Sequence, residues 1–136
     1  QLIEDEAIFE EIRLLLNFQL DDRFLVTLLL IGSPELRDKV RRMRHLDQRI
    51  TIRYHLNTLD DQHTANYVAH RLKMAGQSRR IFTDEAVRLI FDFTRGTPRE
   101  INNLCDISLL IGYSKRVREI DEKIVAEVIK DTVGVG

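Results

Sequence analysis

Arg95-Gly96-Thr97-Pro98-Arg99-Glu100-Ile101-Asn102-Asn103 reads as the end of one helix and the start of the next. Gly96 suits the left-handed conformation that closes a helix, Thr97 is a good N-cap, and Pro98 at the first helical position has its φ preset and no orphan N–H. Glu100 completes a Thr-x-x-Glu capping box. This chemistry accounts for Gly96, Thr97, Pro98 and Glu100, but the cap does not require Arg99. A cation beside the positive end of a helix is unfavourable unless an anion faces it, so Arg99 is the residue that asks for a partner.

Working outward, the segments on both sides carry helix grammar. Asp60-Asp61 caps a helix running to Ala75 and stopped by Gly76, with Ala65, Val68, Ala69, Leu72 and Met74 as its apolar positions. Thr83 caps the next, with Asp84 and Glu85 in the positive first turn and Ala86, Leu89, Ile90 and Phe93 facing inward. A third helix runs from Pro98 to about Tyr113, and Asp121 caps a fourth carrying Ile124, Val125, Val128 and Ile129. Residues 58–136 are therefore expected to form a four-helix bundle, with the terminal Gly134-Val135-Gly136 fraying or starting a linker.

Before residue 58 the pattern differs. Glu4 to Asn17 places Ile8, Ile12, Leu15 and Leu16 on one side of a helix. The run Phe24-Leu25-Val26-Thr27-Leu28-Leu29-Leu30-Ile31, ended by Gly32-Ser33-Pro34, has the length and uniform apolarity of a strand buried on both faces. Ser33-Pro34-Glu35 then starts a helix to about Arg42, and residues 48–56 alternate apolar and polar side chains as a half-exposed strand. Helix, strand, helix, strand predicts part of an α/β layer over residues 1–57.

Composition narrows the function. With 136 residues, 43% of them hydrophobic, the chain can bury a core, and a formal charge of −1 sets up no overall field that attracts nucleic acid. The local cluster Arg37, Lys39, Arg41, Arg42 and Arg44 reads either as a solvated helix face or as a nucleic-acid contact. Cys105 sits among Leu104, Ile107 and Leu109, as a buried thiol would. No run reaches the ~18 apolar residues of a membrane span, and no signal peptide opens the chain, which points to the cytoplasm. His45, His55, His63 and His70 have no metal-ligand spacing, so no metal site is expected. Tyr67, Phe91 and Phe93 are spaced as core or edge residues rather than as a stacking platform.

Five blocks in order carry a resemblance: Glu11-Ile12-Arg13-Leu14-Leu15-Leu16-Asn17-Phe18, Ile31-Gly32-Ser33-Pro34-Glu35-Leu36-Arg37, Gln48-Arg49-Ile50, Phe82-Thr83-Asp84-Glu85-Ala86, and Gly96-Thr97-Pro98 onward to Asp106. Together they resemble the AAA+ ATPases of the general secretion pathway protein A (ExeA-type) family. The resemblance implies that residues 1–57 are the C-terminal part of an α/β ATPase core and residues 58–136 its helical lid. It also implies ATP and Mg²⁺ as cofactors of the intact protein. Ser33 falls at the polar sensor that reaches toward the γ-phosphate, where the family more often has Gln; a plain N-cap is the other reading of Ser33. Arg49 falls where an arginine of one subunit enters its neighbour's site, against the alternative of a surface arginine paired with Asp47. Arg99 matches the lid arginine that reads the bound nucleotide, against a surface ion pair.

Gly-x-x-x-x-Gly-Lys-Ser/Thr, whose backbone N–H groups would cradle phosphates, does not occur in these 136 residues. By resemblance Gln1 is the last residue of the family's Asp-Glu-Ala-Gln motif, and Asp5-Glu6-Ala7 is a helix start. The expectation is thus a fragment, inactive alone, of an ATPase that drives assembly or remodelling of a secretion or export complex. Self-association and secretion-complex components are the expected partners, at the cytoplasmic face of the inner membrane. A transposition-helper type of DNA-associated ATPase and an interaction module without nucleotide activity are the alternatives.

Overall fold

Aspartate and threonine caps set the phase of the helices. In the computed structural model, which describes all residues except 1, 4, 16, 18, 21, 22, 78, 135 and 136 and only the backbone of 6, 19, 20, 23 and 24, seven helices are seen among the described residues. They are α1 (Glu6–Leu15), α2 (Pro34–Arg42), α3 (Arg44–Asp47), α4 (Asp61–Met74), α5 (Asp84–Thr94), α6 (Pro98–Ser114) and α7 (Glu122–Gly134). Two two-residue strands, β1 (Gln19–Leu20) and β2 (Arg23–Phe24), pair antiparallel between α1 and α2. The readings placed on Gln1, Glu4, Leu16, Phe18, Val135 and Gly136 lie outside the described residues.

The chain divides into two compact units, residues 1–55 and 56–136. In the first, the expected α/β layer is not formed. Neither run forms the expected strand: beyond Phe24 at the end of β2, residues 25–33 have no regular structure, and neither do residues 50–60. A strand is held by ladder bonds to a neighbour, and among the described residues no such neighbour is present. Their apolar side chains consequently face solvent: Leu29 is 77% exposed, Ile31 79%, Ile52 84% and Tyr54 86%. What the unit does bury is a small helical core of Phe9, Leu36, Val40 and Leu46, with Ile3, Ile12, Leu30, Met43 and Ile50 against it. Phe9 is the centre of the inward face of α1, whereas Ile8 and Leu15, expected inside, are exposed. The fold is therefore helical rather than α/β followed by all-α.

In the second unit α5 packs on α4, α6 and α7, and α6 also packs on α7. The core is Val68, Phe82, Ala86, Val87, Ile90, Ile101, Leu104, Cys105, Ile120, Ile124, Val125 and Val128. Burying a Val- or Ile-sized side chain contributes roughly 1.5–3 kcal/mol, so this core is the main source of the unit's stability. Three caps form as the sequence predicts: Asp60 accepts from the His63 N–H (2.7 Å), Thr83 from the Ala86 N–H (3.2 Å) and Asp121 from the Ile124 N–H (3.1 Å). A single parallel bridge joins the chain before α5 to the chain before α7, with the Thr83 N–H donating to the Ile120 carbonyl (3.0 Å) and the Ile120 N–H to the Ile81 carbonyl (2.8 Å). Met74 and Phe93, read as inward positions, are exposed.

Candidate functional site

The turn from Thr94 to Thr97, between α5 and α6, is held by several backbone and side-chain bonds. Arg95 (φ 50°) ends α5 in the left-handed region and Gly96 (φ 75°) follows in the same region, so two residues share the reversal assigned to glycine alone. Thr94, fully buried, donates its hydroxyl to the Ile90 carbonyl at 2.8 Å, and the Gly96 N–H reaches back to that hydroxyl at 3.4 Å. The Gly96 carbonyl accepts from the Leu59 N–H at 2.9 Å, which fastens the chain before α4 to the turn. This approach is so close that a Cβ on residue 96 would stand 1.7 Å from the Leu59 carbonyl oxygen.

α6 begins at Pro98 as the sequence predicts, yet the capping box does not form: Thr97 has the extended backbone of an N-cap, but its hydroxyl makes no capping bond. With proline at the first helical position and the Gly96–Leu59 clamp fixing the chain, the start of α6 is set by the backbone instead. The Tyr67 hydroxyl donates to Asn102 Oδ1 at 3.2 Å, a second tie between α4 and the first turns of α6.

Arg99 is exposed in that first turn, and among the described residues it has no ion pair or hydrogen-bond partner. Arg95, on the other side of the turn, is likewise exposed, and its guanidinium has no partner among the described residues. The sequence reading singled out Arg99 and passed over Arg95; the signal that marks Arg95 is its left-handed backbone, which composition does not display. The orphan N–H groups of the α6 start together with the Arg99 guanidinium favour an anion, and a planar guanidinium suits the paired oxygens of a phosphate.

The other candidates lie in the first unit. Ser33 precedes α2 with an extended backbone, and its hydroxyl donates to the Glu35 carboxylate, which holds Glu35 below the usual carboxylate range. Ser33 caps α2 through its carbonyl, accepting from the Leu36 N–H at 2.9 Å, and not through its side chain. Arg49 is exposed in the turn after α3, its backbone N–H donates to the Leu46 carbonyl at 3.0 Å, and its side chain has no partner among the described residues. The carboxylate proposed as its surface partner, Asp47, is taken by Arg53 at 2.9 Å. Cys105 is buried and its thiol is pushed up to about 12 by burial, with Asp106 nearby adding to the effect. Among the described residues no group of three His, Cys, Asp or Glu side chains is arranged to hold a metal ion, and no helix is long and apolar enough to cross a membrane.

No family model matches the chain. No solved structure matches it either. Among curated proteins it is 39% identical over 116 residues to general secretion pathway protein A of Aeromonas hydrophila, an alignment covering 84% of this chain and 21% of that protein. The chain therefore spans about a fifth of the length of the curated relative it matches. At this identity over most of its residues, the chain is related in sequence to a part of general secretion pathway protein A.

Proposed function

We propose that residues 58–136 are the helical lid of a nucleotide-dependent machine and that Arg99 is the lid's contact to a nucleotide phosphate. The observation that carries this reading is the unpaired, exposed guanidinium of Arg99 in the first turn of α6, on a turn clamped by the Leu59–Gly96 hydrogen bond. An arginine placed against the helix dipole, on a backbone held in one position, is costly unless an anion comes to it. The relationship to general secretion pathway protein A supports the wider role: ATP binding and hydrolysis in the whole protein would drive assembly or remodelling of a secretion complex. Arg49, exposed and unpaired, is assigned to a neighbouring subunit's nucleotide, which requires self-association of the whole protein. Ser33, whose hydroxyl is given to Glu35, is left out of the site.

The residues of this chain fit one part of such a site. Arg99 and Arg95 suit phosphate oxygens, while a phosphate-cradling loop and a carboxylate cluster for magnesium are not found among the described residues. Bound ATP·Mg²⁺ would supply the hydrolysable phosphoanhydride; this chain's share is to recognise the phosphate charge. The test is Arg99→Ala in the full-length gene product. ATP turnover should fall by about tenfold or more with an unchanged melting temperature, because a charged hydrogen bond is worth roughly 1.5–3 kcal/mol. Arg99→Lys should rescue only in part, since a point charge does not reproduce a two-pronged contact. Equal turnover by Arg99→Ala and the parent refutes the assignment.

A second reading is favoured by one observation: Arg41, Arg42 and Arg44 on α2 and α3 are exposed and have no carboxylate partner among the described residues. These cations are available to nucleic-acid phosphates. Binding that weakens steeply with salt, and is lost when all three are replaced by Gln, would favour a DNA-associated machine instead.

A further inference from the structure

The second unit carries a feature that the nucleotide reading does not use. A groove of about 660 Å³ lies between α4 and α5, and Gln77, Arg79 and Arg80 from the loop between them also line it. Ala65 and Ala69, one turn apart on α4, line it with methyl groups, and Leu72 continues the apolar wall. From Ala65 to Lys73 the trough follows α4 for about 12 Å at 1.5 Å per residue. That is the length of about four residues of extended chain. Ala69 is exposed, so the trough is open along its side rather than enclosing a small molecule.

Its loop end is basic. Lys73, Arg79 and Arg80 line it against one carboxylate, Asp84, so three cations minus one anion leave a local charge of +2. Arg80 is already matched, pairing with Asp84 and donating from Nε to the Phe82 carbonyl at 3.1 Å. Arg79 is held in place by a 2.9 Å bond to the Arg118 carbonyl, which fixes its position without neutralising it. Among the described residues neither Lys73 nor Arg79 has a carboxylate partner. The Thr83–Ile120 and Ile120–Ile81 bonds brace the chain at the end of this loop.

We infer that the α4–α5 groove docks a short peptide segment of a partner protein in which an apolar side chain lies next to a carboxylate. The apolar side chain covers Ala65, Ala69 and Leu72, and the carboxylate meets Lys73 and Arg79. Charge complementarity at a preformed basic end sets both the chemistry of the partner and the direction of its chain. The groove includes none of Ser33, Arg49, Arg95 and Arg99, so this docking stands or falls separately from phosphate recognition.

The experiment pans a random peptide library on the full chain and, in parallel, on the Lys73→Glu/Arg79→Glu double variant. Binders of the parent should combine Leu, Ile or Phe with Asp or Glu. Their dissociation constants should rise by about tenfold or more on the double variant, or when their acids are replaced by amides. Amide resonances of Ala69, Lys73 and Arg80 should shift on titration, and Ala69→Leu, which keeps helix propensity while filling the trough, should weaken the same peptides. Because Arg79 also braces Arg118, Lys73→Glu alone serves as the variant if the double one loses its helical signal. A selection that gives no saturable binder overturns the inference. So do binders held equally by the charge-reversed chain, and so does saturation of the same resonances by hexanoate with the affinity of the best peptide, which would mark a small-carboxylate site.

Discussion

Replacing Gly96 with Ala tests the clamp on which the Arg99 turn depends. The new Cβ would lie 1.7 Å from the Leu59 carbonyl oxygen and 2.8 Å from its nitrogen, both backbone atoms that yield only if the chain moves. Three costs follow. Holding a non-glycine residue at a φ of 75° costs about 1–2 kcal/mol, losing the Leu59 N–H to Gly96 carbonyl bond about 1 kcal/mol, and forcing the backbone apart about 1–3 kcal/mol. The total, about 3–6 kcal/mol, corresponds to a drop in melting temperature of more than about 12 °C for a unit of this size. Gly76→Ala is the internal control. Gly76 has a similar φ of 84°, yet a Cβ there meets nothing within 4 Å, so only the conformational cost of about 1–2 kcal/mol remains. Thermal unfolding followed by far-ultraviolet circular dichroism compares the two in the full chain. Equal drops would refute the reasoning, because they would show that the approach to Leu59 is not what requires glycine at position 96.

Two further outcomes concern caps. Thr83→Ala should destabilise by about 1 kcal/mol, whereas Thr97→Ala, which removes a hydroxyl that makes no capping bond, should stay within about 0.5 kcal/mol; urea titrations giving Thr97 the larger loss would contradict the described geometry. Asp60 accepts from the backbone N–H and the ring of His63, which holds its carboxyl below the ordinary value of 3.8. A depressed folded value means that the stabilisation is present above the unfolded value and is lost as pH falls through the folded one. Melting temperatures scanned below about pH 4 should therefore fall less in Asp60→Asn, whose side-chain oxygen still caps α4 without titrating, and an identical acid limb in both proteins would remove Asp60 from the account.

The second unit was legible in the sequence because its helices announce themselves locally. Asp60, Thr83 and Asp121 sit immediately before apolar residues at helical spacing, and their side chains make the bonds that such spacing predicts. The first unit was misread because a strand is not a local object. Residues 24–31 have the composition of a buried strand, but a run acquires that identity only from a neighbour that accepts its N–H groups, and beyond Phe24, which pairs with Gln19, the described residues supply none. At the candidate site, the cation at position 99 was visible as a residue without a structural reason. The left-handed Arg95 and the absent Thr97 cap were not, since a backbone dihedral and an unmade hydroxyl bond are set by the folded turn, where Leu59 meets Gly96 across 37 positions (96 minus 59).

The buried sulfur of Cys105 gives the molecule a chemical memory. Burial pushes its thiol up to about 12, so the sulfur stays protonated at neutral pH while α6 remains packed. Alkylation or oxidation therefore waits for the moments when α6 lifts from its neighbours and the thiol returns to its ordinary acidity. Each alkylated Cys105 is a lasting record of one such opening, unlike a reversible sulfenic acid, so the extent of alkylation accumulates with the excursions of α6.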